Sequence, residues 1–223
     1  MKCRYSKVAS REDRSEFIVK SYKHIFDKAE SILDVGSSSG ALKSILGNKV
    51  TDLDADEVDV SDNVSGSPDY TVNLEKELLS GFRDEEFDVV VCSDVLEHLD
   101  NFHGVLDDIV RVARKHIIIT LPNCTNTWRA LRILFKQTAG RQYGLPLDRR
   151  QDRHKWFFSW READSFMKNY CENMQVKVQE KFLLFNNDTN SMRCMIISRI
   201  LRLRPLSSFS ETYYVLLTKQ HHE

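Results

Sequence analysis

The chain has 223 residues, 41% of them hydrophobic and 29% charged, the balance of a globular protein and not of a disordered one. Its formal net charge is −1, so nothing global calls for nucleic acid, and any electrostatic partner must meet a local patch. Its five cysteines are scattered without a paired metal-ligand spacing, which excludes a cysteine zinc framework and suits a reducing compartment. The charged start and the lack of a long apolar run make a cytoplasmic protein the expectation.

Residues 13–29 place Ile18, Tyr22, Ile25, Phe26 and Ala29 at helical spacing, which predicts one amphipathic helix ahead of the first strand. "SILDV" reads as a short buried strand, and "GALKSILG" as a helix opened by a serine-rich turn and stopped by Gly47. "KVTDLD" and "DYTVNL" follow as strands, and "FDVVVCSD" is the clearest strand of all, apolar and β-branched as a central parallel strand is. "VLDDIVRVARK" repeats apolar residues at Val105, Leu106, Ile109, Val110 and Ala113, a helix, and "HIIITLP" is another buried strand. Then "READSFMKNYC" reads as a helix, with "QVKVQEKFLLF" and "TYYVLLTK" as late strands forming an antiparallel hairpin at one sheet edge. Alternation of strand and helix over 31–122 predicts an α/β fold, mostly parallel, with helices on both faces.

One domain over 1–223 is expected: a helical cap (1–30), a cofactor-binding core (31–122), an acceptor-side insertion and helix (123–175) and C-terminal strands (176–223). In such sheets ligands sit beyond the carboxyl ends of the strands. Gly36, Ser37, Ser38, Ser39 and Gly40 supply a small-residue turn there, behind Asp34. An acid at the next strand tip accepts from ribose hydroxyls; Asp54 holds that place and Asp52 competes for it. A pyrophosphate site wants G-x-G-x-x-G, whereas G-S-S-S-G behind a carboxylate suits a cationic sulfonium cofactor, S-adenosyl-L-methionine (SAM).

With those residues in place, the chain resembles the class I, Rossmann-like SAM-dependent methyltransferases over about residues 30–122. "ILDVGSSSG" resembles their first motif, with Ser38 where the middle glycine is expected. By resemblance, "VTDLDADE" puts Asp54 on the ribose beside Ala55, and "VNLEKEL" sets Asn73 on the adenine amino group and Leu74 against the ring. "FDVVVCSDVLEHLDN" implies that Ser93, Asp94 and Val95 line the methionine moiety and that His98 faces the reaction chamber. The family implies methyl transfer from SAM, leaving S-adenosyl-L-homocysteine (SAH).

Two histidines stand as candidate bases for a hydroxyl acceptor. His98 is either that base or a capping residue. His154, in "DRHKWFFSW", is either a base held by Asp152 or part of a surface turn, and the aromatic residues beside it read as core. "YGLPLDRRQDRHKWFFS" resembles an acceptor-pocket segment of bacterial methyltransferases linked with cell-surface polysaccharides, which implies a small-molecule or glycan acceptor methylated at oxygen. Tyr143 and Trp156 offer faces for a sugar. Residues 126–137 and 191–204 carry apolar stripes rimmed by arginines, read as core-facing helices first and as membrane-interface helices second. The latter reading would suit a lipid-linked or membrane-embedded acceptor. Rival functions are a SAM-binding subunit without activity, suggested by Ser38, and an NAD-dependent oxidoreductase, disfavoured by the glycine pattern.

Overall fold

A computed structural model describes residues 1–8, 10–55, 68–139, 143–144, 153–186 and 206–220. The elements are β1 (Lys2–Ser6), α1 (Arg11–Ser21), α2 (Lys23–Phe26), β2 (Ile32–Val35), α3 (Ala41–Leu46), β3 (Val50–Ala55), β4 (Tyr70–Val72) and β5 (Phe87–Ser93). They continue with α4 (Phe102–Val112), β6 (Ala113–Pro122), α5 (Thr127–Lys136), α6 (Trp160–Asn173), β7 (Val176–Asn186) and β8 (Thr212–Lys219).

The strands form one sheet in the order β1-β7-β8-β6-β5-β2-β3-β4. Every pairing is parallel except those of β8, which is antiparallel to both β6 and β7. Strand order reverses between β2 and β5: the chain runs outward from β2 through β3 to β4, then returns to β5 and leaves the other way through β6. Such a reversal opens a crevice at the carboxyl ends of the two strands.

Side-chain alternation builds a core on each face of the sheet. Val90, Cys92, Ile117 and Ile119 pack with α4 and α6 through Leu106, Ile109, Ala163 and Met167. Val89, Val91 and Ile118 pack on the opposite face with Ile18, Tyr22, Phe26 and Leu42 of the α1–α3 layer. Cys92 is fully buried, as an apolar side chain would be.

Several sequence expectations need correction. The single helix over 13–29 is two, α1 and α2, parted at Tyr22, whose φ of −119° and ψ of 26° leave the helical region. A capping box between Ser10 and Asp13 starts α1 two residues earlier than its apolar spacing suggests. The segment 1–30 is not only helical: β1 lies parallel to β7, from Lys2 against Phe182 to Ser6 against Asn186, and so forms the sheet edge outside the late hairpin. Its polar, largely exposed "KCRYS" carries no apolar alternation to announce it. The helix expected to include Ala113 ends at Val112, because Ala113 already pairs with Phe87 in the ladder.

The core-facing reading of 126–137 also fails: on α5, Leu134 and Phe135 are 70% and 76% exposed. Residues 191–204 lie outside the described residues, as does Asp152. Nor are the aromatic residues near His154 all core, since Trp156 and Phe157 are exposed. Phe158 and Trp160 pack against the α4–α6 core. No helix among the described residues is long and apolar enough to cross a membrane.

Candidate active site

The turn after β2 is set by backbone conformation. Gly36, Ser38 and Gly40 all have positive φ, at +76°, +50° and +64°. The serine therefore adopts the left-handed conformation natural to the glycine expected there, at a steric cost of about 1–2 kcal/mol. Ser38 is buried, and its Oγ accepts a hydrogen bond from the Arg11 guanidinium of α1. Gly36 cannot carry a side chain, because a Cβ there would stand 2.3 Å from Val95 Cγ2. Gly36 and Ser37 donate their N–H groups to Leu53 O, locking the turn to β3.

Acidic groups converge on that turn. Asp34 and Asp52 are register partners across β2 and β3, and both are buried. Burial, and then repulsion from Asp52, pushes the Asp34 carboxyl up to about 7. Burial raises Asp52 as well. Asp52 Oδ2 would lie 3.1 Å from a Cβ at Gly40, and its Oδ1 is a buried atom with no hydrogen-bond partner among the described residues. Asp54 lies one residue before the end of the same strand, two residues on and on the same face. Such a set suits a ligand that brings positive charge and hydroxyl donors, and it opposes a pyrophosphate.

Asn73 and Leu74 follow β4. Asn73 is buried, and its Oδ1 accepts from the N–H groups of Glu75 and Lys76, which leaves the amide nitrogen, a donor suited to a ring nitrogen of a base and not to the adenine amino group expected from the sequence. Leu74 is buried in the α4–α6 core.

At the tip of β5, Ser93 Oγ lies 2.9 Å from Thr120 Oγ1, which donates to Asp94 Oδ1 at 2.7 Å. Asp94 is the second non-glycine residue of the site with positive φ, +52°. Its Oδ2 meets Arg14 Nη1 of α1 at 2.7 Å. Val95 closes over Gly36, and a tight turn then buries Leu96, Glu97 and His98.

His154 arrives from a different part of the chain and lies against His98, ring centroids 4.5 Å apart and planes at 73°. The strap that carries it is fastened to the β5 turn. Lys155 and Trp156 donate their N–H groups to Glu97 O, Trp156 Nε1 donates to Leu99 O at 2.6 Å, and Lys155 Nζ reaches Glu75 and Asp100. Among the described residues the group that holds His154 is Tyr143, whose Oη is 2.5 Å from Nδ1 and 2.8 Å from Cys124 Sγ. The Arg129 guanidinium covers the Tyr143 ring at 4.4 Å. Burial, and then the neighbouring His98, lowers the His154 imidazole to about 3, so the ring is neutral at pH 7. An apolar cavity of about 170 Å³ lies between α4 and α6, lined by Phe102, Trp156, Phe158 and Phe166, and no expected cofactor residue lines it.

The expected cofactor residues thus lie at the carboxyl ends of β2, β3, β4 and β5 or on the turns after them, with both histidines beside the β5 tip. Sequence reasoning missed Arg11 and Arg14, which share one side of α1, and Glu97 and Cys124. The i, i+3 spacing of the two arginines was the available signal for the first pair.

The chain has structural relatives with low sequence identity. A SAM-dependent methyltransferase from Archaeoglobus fulgidus shares 18% identity, with 94% of this chain and 95% of that one covered at a TM-score of 0.58. Magnesium protoporphyrin IX methyltransferase from Synechocystis PCC 6803, solved with bound SAH, shares 14%, covering 94% and 83% at a TM-score of 0.54. No curated protein matches the sequence. A family model described as methionine biosynthesis protein MetW matches residues 16–202. That match spans most of the chain, so a protein with the class I methyltransferase fold is here a member of the MetW family.

Proposed function

We propose that this chain is a SAM-dependent methyltransferase acting on a hydroxyl of a small molecule or glycan, with residues 1–223 working as one unit. The observation that carries this reading is the crevice between the β2 and β5 tips, which gathers buried carboxylates at one end and paired histidines at the other. When bound, SAM supplies a methyl group made electrophilic by a positively charged sulfur.

Asp34 takes the ammonium group, and Arg14, already in the crevice, is suited to the carboxylate of the same amino acid tail. Asp54 accepts from the ribose beside Ala55, with Asp52 next to it. Asn73 and Leu74 hold the adenine. Ser93, Asp94 and Val95 line the methionine end, with Gly36, Ser37, Ser38 and Gly40 beneath. His98 and His154 attend the acceptor hydroxyl and assist loss of its proton, a role worth about 10²–10⁴-fold. Ser38 has the φ that the missing glycine would take, so the altered motif lends no support to an inactive binding subunit.

The experiment is a calorimetric titration with SAM and SAH, then labelled-methyl transfer into sugar nucleotides and lipid-linked saccharides. His154→Ala is expected to cut turnover about 100-fold or more while leaving SAH affinity nearly intact. A folded chain with no affinity for either ligand would end this reading.

A further inference from the structure

Glu97, His98 and His154 form a group that cofactor binding does not require. Glu97 is 0% exposed and His98 9%. One donor atom from each of the three residues lies within 4.8 Å of the others, and His98 Nε2 is 3.9 Å from Glu97 Oε1.

Both rings are oriented from behind. His98 Nδ1 is 3.1 Å from Arg153 O, an acceptor only, so Nδ1 carries the proton and Nε2 the lone pair. His154 Nδ1 is engaged by Tyr143 Oη, which in turn meets Cys124 Sγ. A proton on Nδ1 donated to Oη, with the phenol donating to sulfur, satisfies all three groups and puts the lone pair of His154 on Nε2. Imidazoles fixed through one nitrogen by a carbonyl or a polar side chain, with the other nitrogen turned to a common centre, are the usual second layer of a metal site.

From this arrangement we propose that Glu97, His98 and His154 bind one divalent transition-metal ion, of the Zn²⁺ or Co²⁺ class, with a coordination position open to the acceptor. Two imidazole nitrogens and one carboxylate make a borderline donor set that disfavours Mg²⁺ and Ca²⁺, which prefer oxygen. Three protein ligands leave a place for water or substrate. Ligands about 2.0–2.2 Å from a tetrahedral ion stand about 3.3–3.5 Å apart, so the ion draws donor atoms now within 4.8 Å closer by up to roughly 1.5 Å. His154, on its strap, is the member placed to move. The open position's role rests on the methyl-transfer reading: with both Nε2 atoms on the ion, the histidines assist loss of the acceptor proton through the metal and not as bases, and an acceptor hydroxyl bound there gives its proton to water near neutral pH. Binding of the ion itself does not rest on that reading.

The test uses tag-free, full-length protein stripped with a chelator and returned to metal-free buffer. Co²⁺ is titrated with visible absorption as the readout and Zn²⁺ by calorimetry, with SAH titrated in parallel. One equivalent is expected, with a Co²⁺ spectrum showing nitrogen ligation. His154→Ala and Glu97→Gln should weaken binding about 100-fold and Tyr143→Phe about 10-fold, within the span seen when such groups are removed. Should Glu97→Gln fail to fold, His154→Ala and Tyr143→Phe carry the test, with circular dichroism confirming their fold. Absence of a Co²⁺ spectrum and Zn²⁺ heat, or binding unchanged in His154→Ala, overturns the proposal. Co²⁺ bound without SAH affinity would refute the methyl-transfer reading and leave the metal site standing; SAH bound without Co²⁺ would do the reverse.

Discussion

Arg14 of α1 holds Asp94 at the tip of β5, Nη1 to Oδ2, at 2.7 Å. Together with Arg11 on Ser38, this contact ties one helix to the turns after both β2 and β5. Arg14→Met keeps most of the aliphatic bulk and removes the charge beside a largely buried carboxylate. It is expected to cost about 1–3 kcal/mol of stability in urea unfolding and to weaken SAH binding about 10-fold or more. Wild-type SAH affinity in that variant would remove Arg14 from the site.

Gly36→Ala places a methyl group 2.3 Å from Val95 Cγ2 at a φ of +76°. SAH affinity is expected to fall about 100-fold. Adding Val95→Ala relieves the overlap but not the backbone strain of about 1–2 kcal/mol, so calorimetry should find only part of the affinity restored. Full retention of affinity in the single variant would contradict the packing described for this turn.

Asp34 makes stability and binding depend on pH. Its folded-state value, about 7, stands above the ordinary 3.8, so the fold keeps a proton that the unfolded chain releases. The contribution to stability is therefore full below pH 3.8 and declines as the pH rises to about 7. Asp34→Asn should gain on wild type between pH 4 and pH 7.5, by an amount on the order of 2–4 kcal/mol, measured from urea midpoints. Binding a cationic cofactor at pH 6 should expel that proton. Titrations in two buffers of different ionisation enthalpy measure the release, and none is expected from Asp34→Asn.

On α5, Leu134 and Phe135 stand in solvent. Replacing both by serine is expected to change stability by less than about 0.5 kcal/mol. A loss above about 1 kcal/mol in urea unfolding would mean that these side chains are covered in solution.

The sheet was legible where apolar runs are long: "FDVVVCS" and "HIIITLP" fall within β5 and β6 as read, because a strand buried on both faces has no polar alternation to obscure it. The small turn after Asp34 and the acid at the end of β3 were legible for a chemical reason, since few residue types tolerate those places. What escaped was carried by tertiary pairing. β1 has a polar sequence and exists through its ladder with β7. His154 meets Tyr143, eleven residues earlier, a contact that no sequence spacing announced. The exposure of α5 was hidden because an amphipathic stripe looks the same whether or not a neighbour covers it.

The strand order has a consequence for biosynthesis. β8, the latest of the described strands to leave the ribosome, sits between β6 and β7. Until it is made, no strand joins the β1–β7 pair to the rest of the sheet, and β6 offers an open edge with Ile117, Ile118 and Ile119 along it. A nascent chain at that stage holds a half-built sheet whose bare edge invites association with other chains. Premature termination ahead of Thr212 should therefore yield insoluble product instead of a smaller working enzyme.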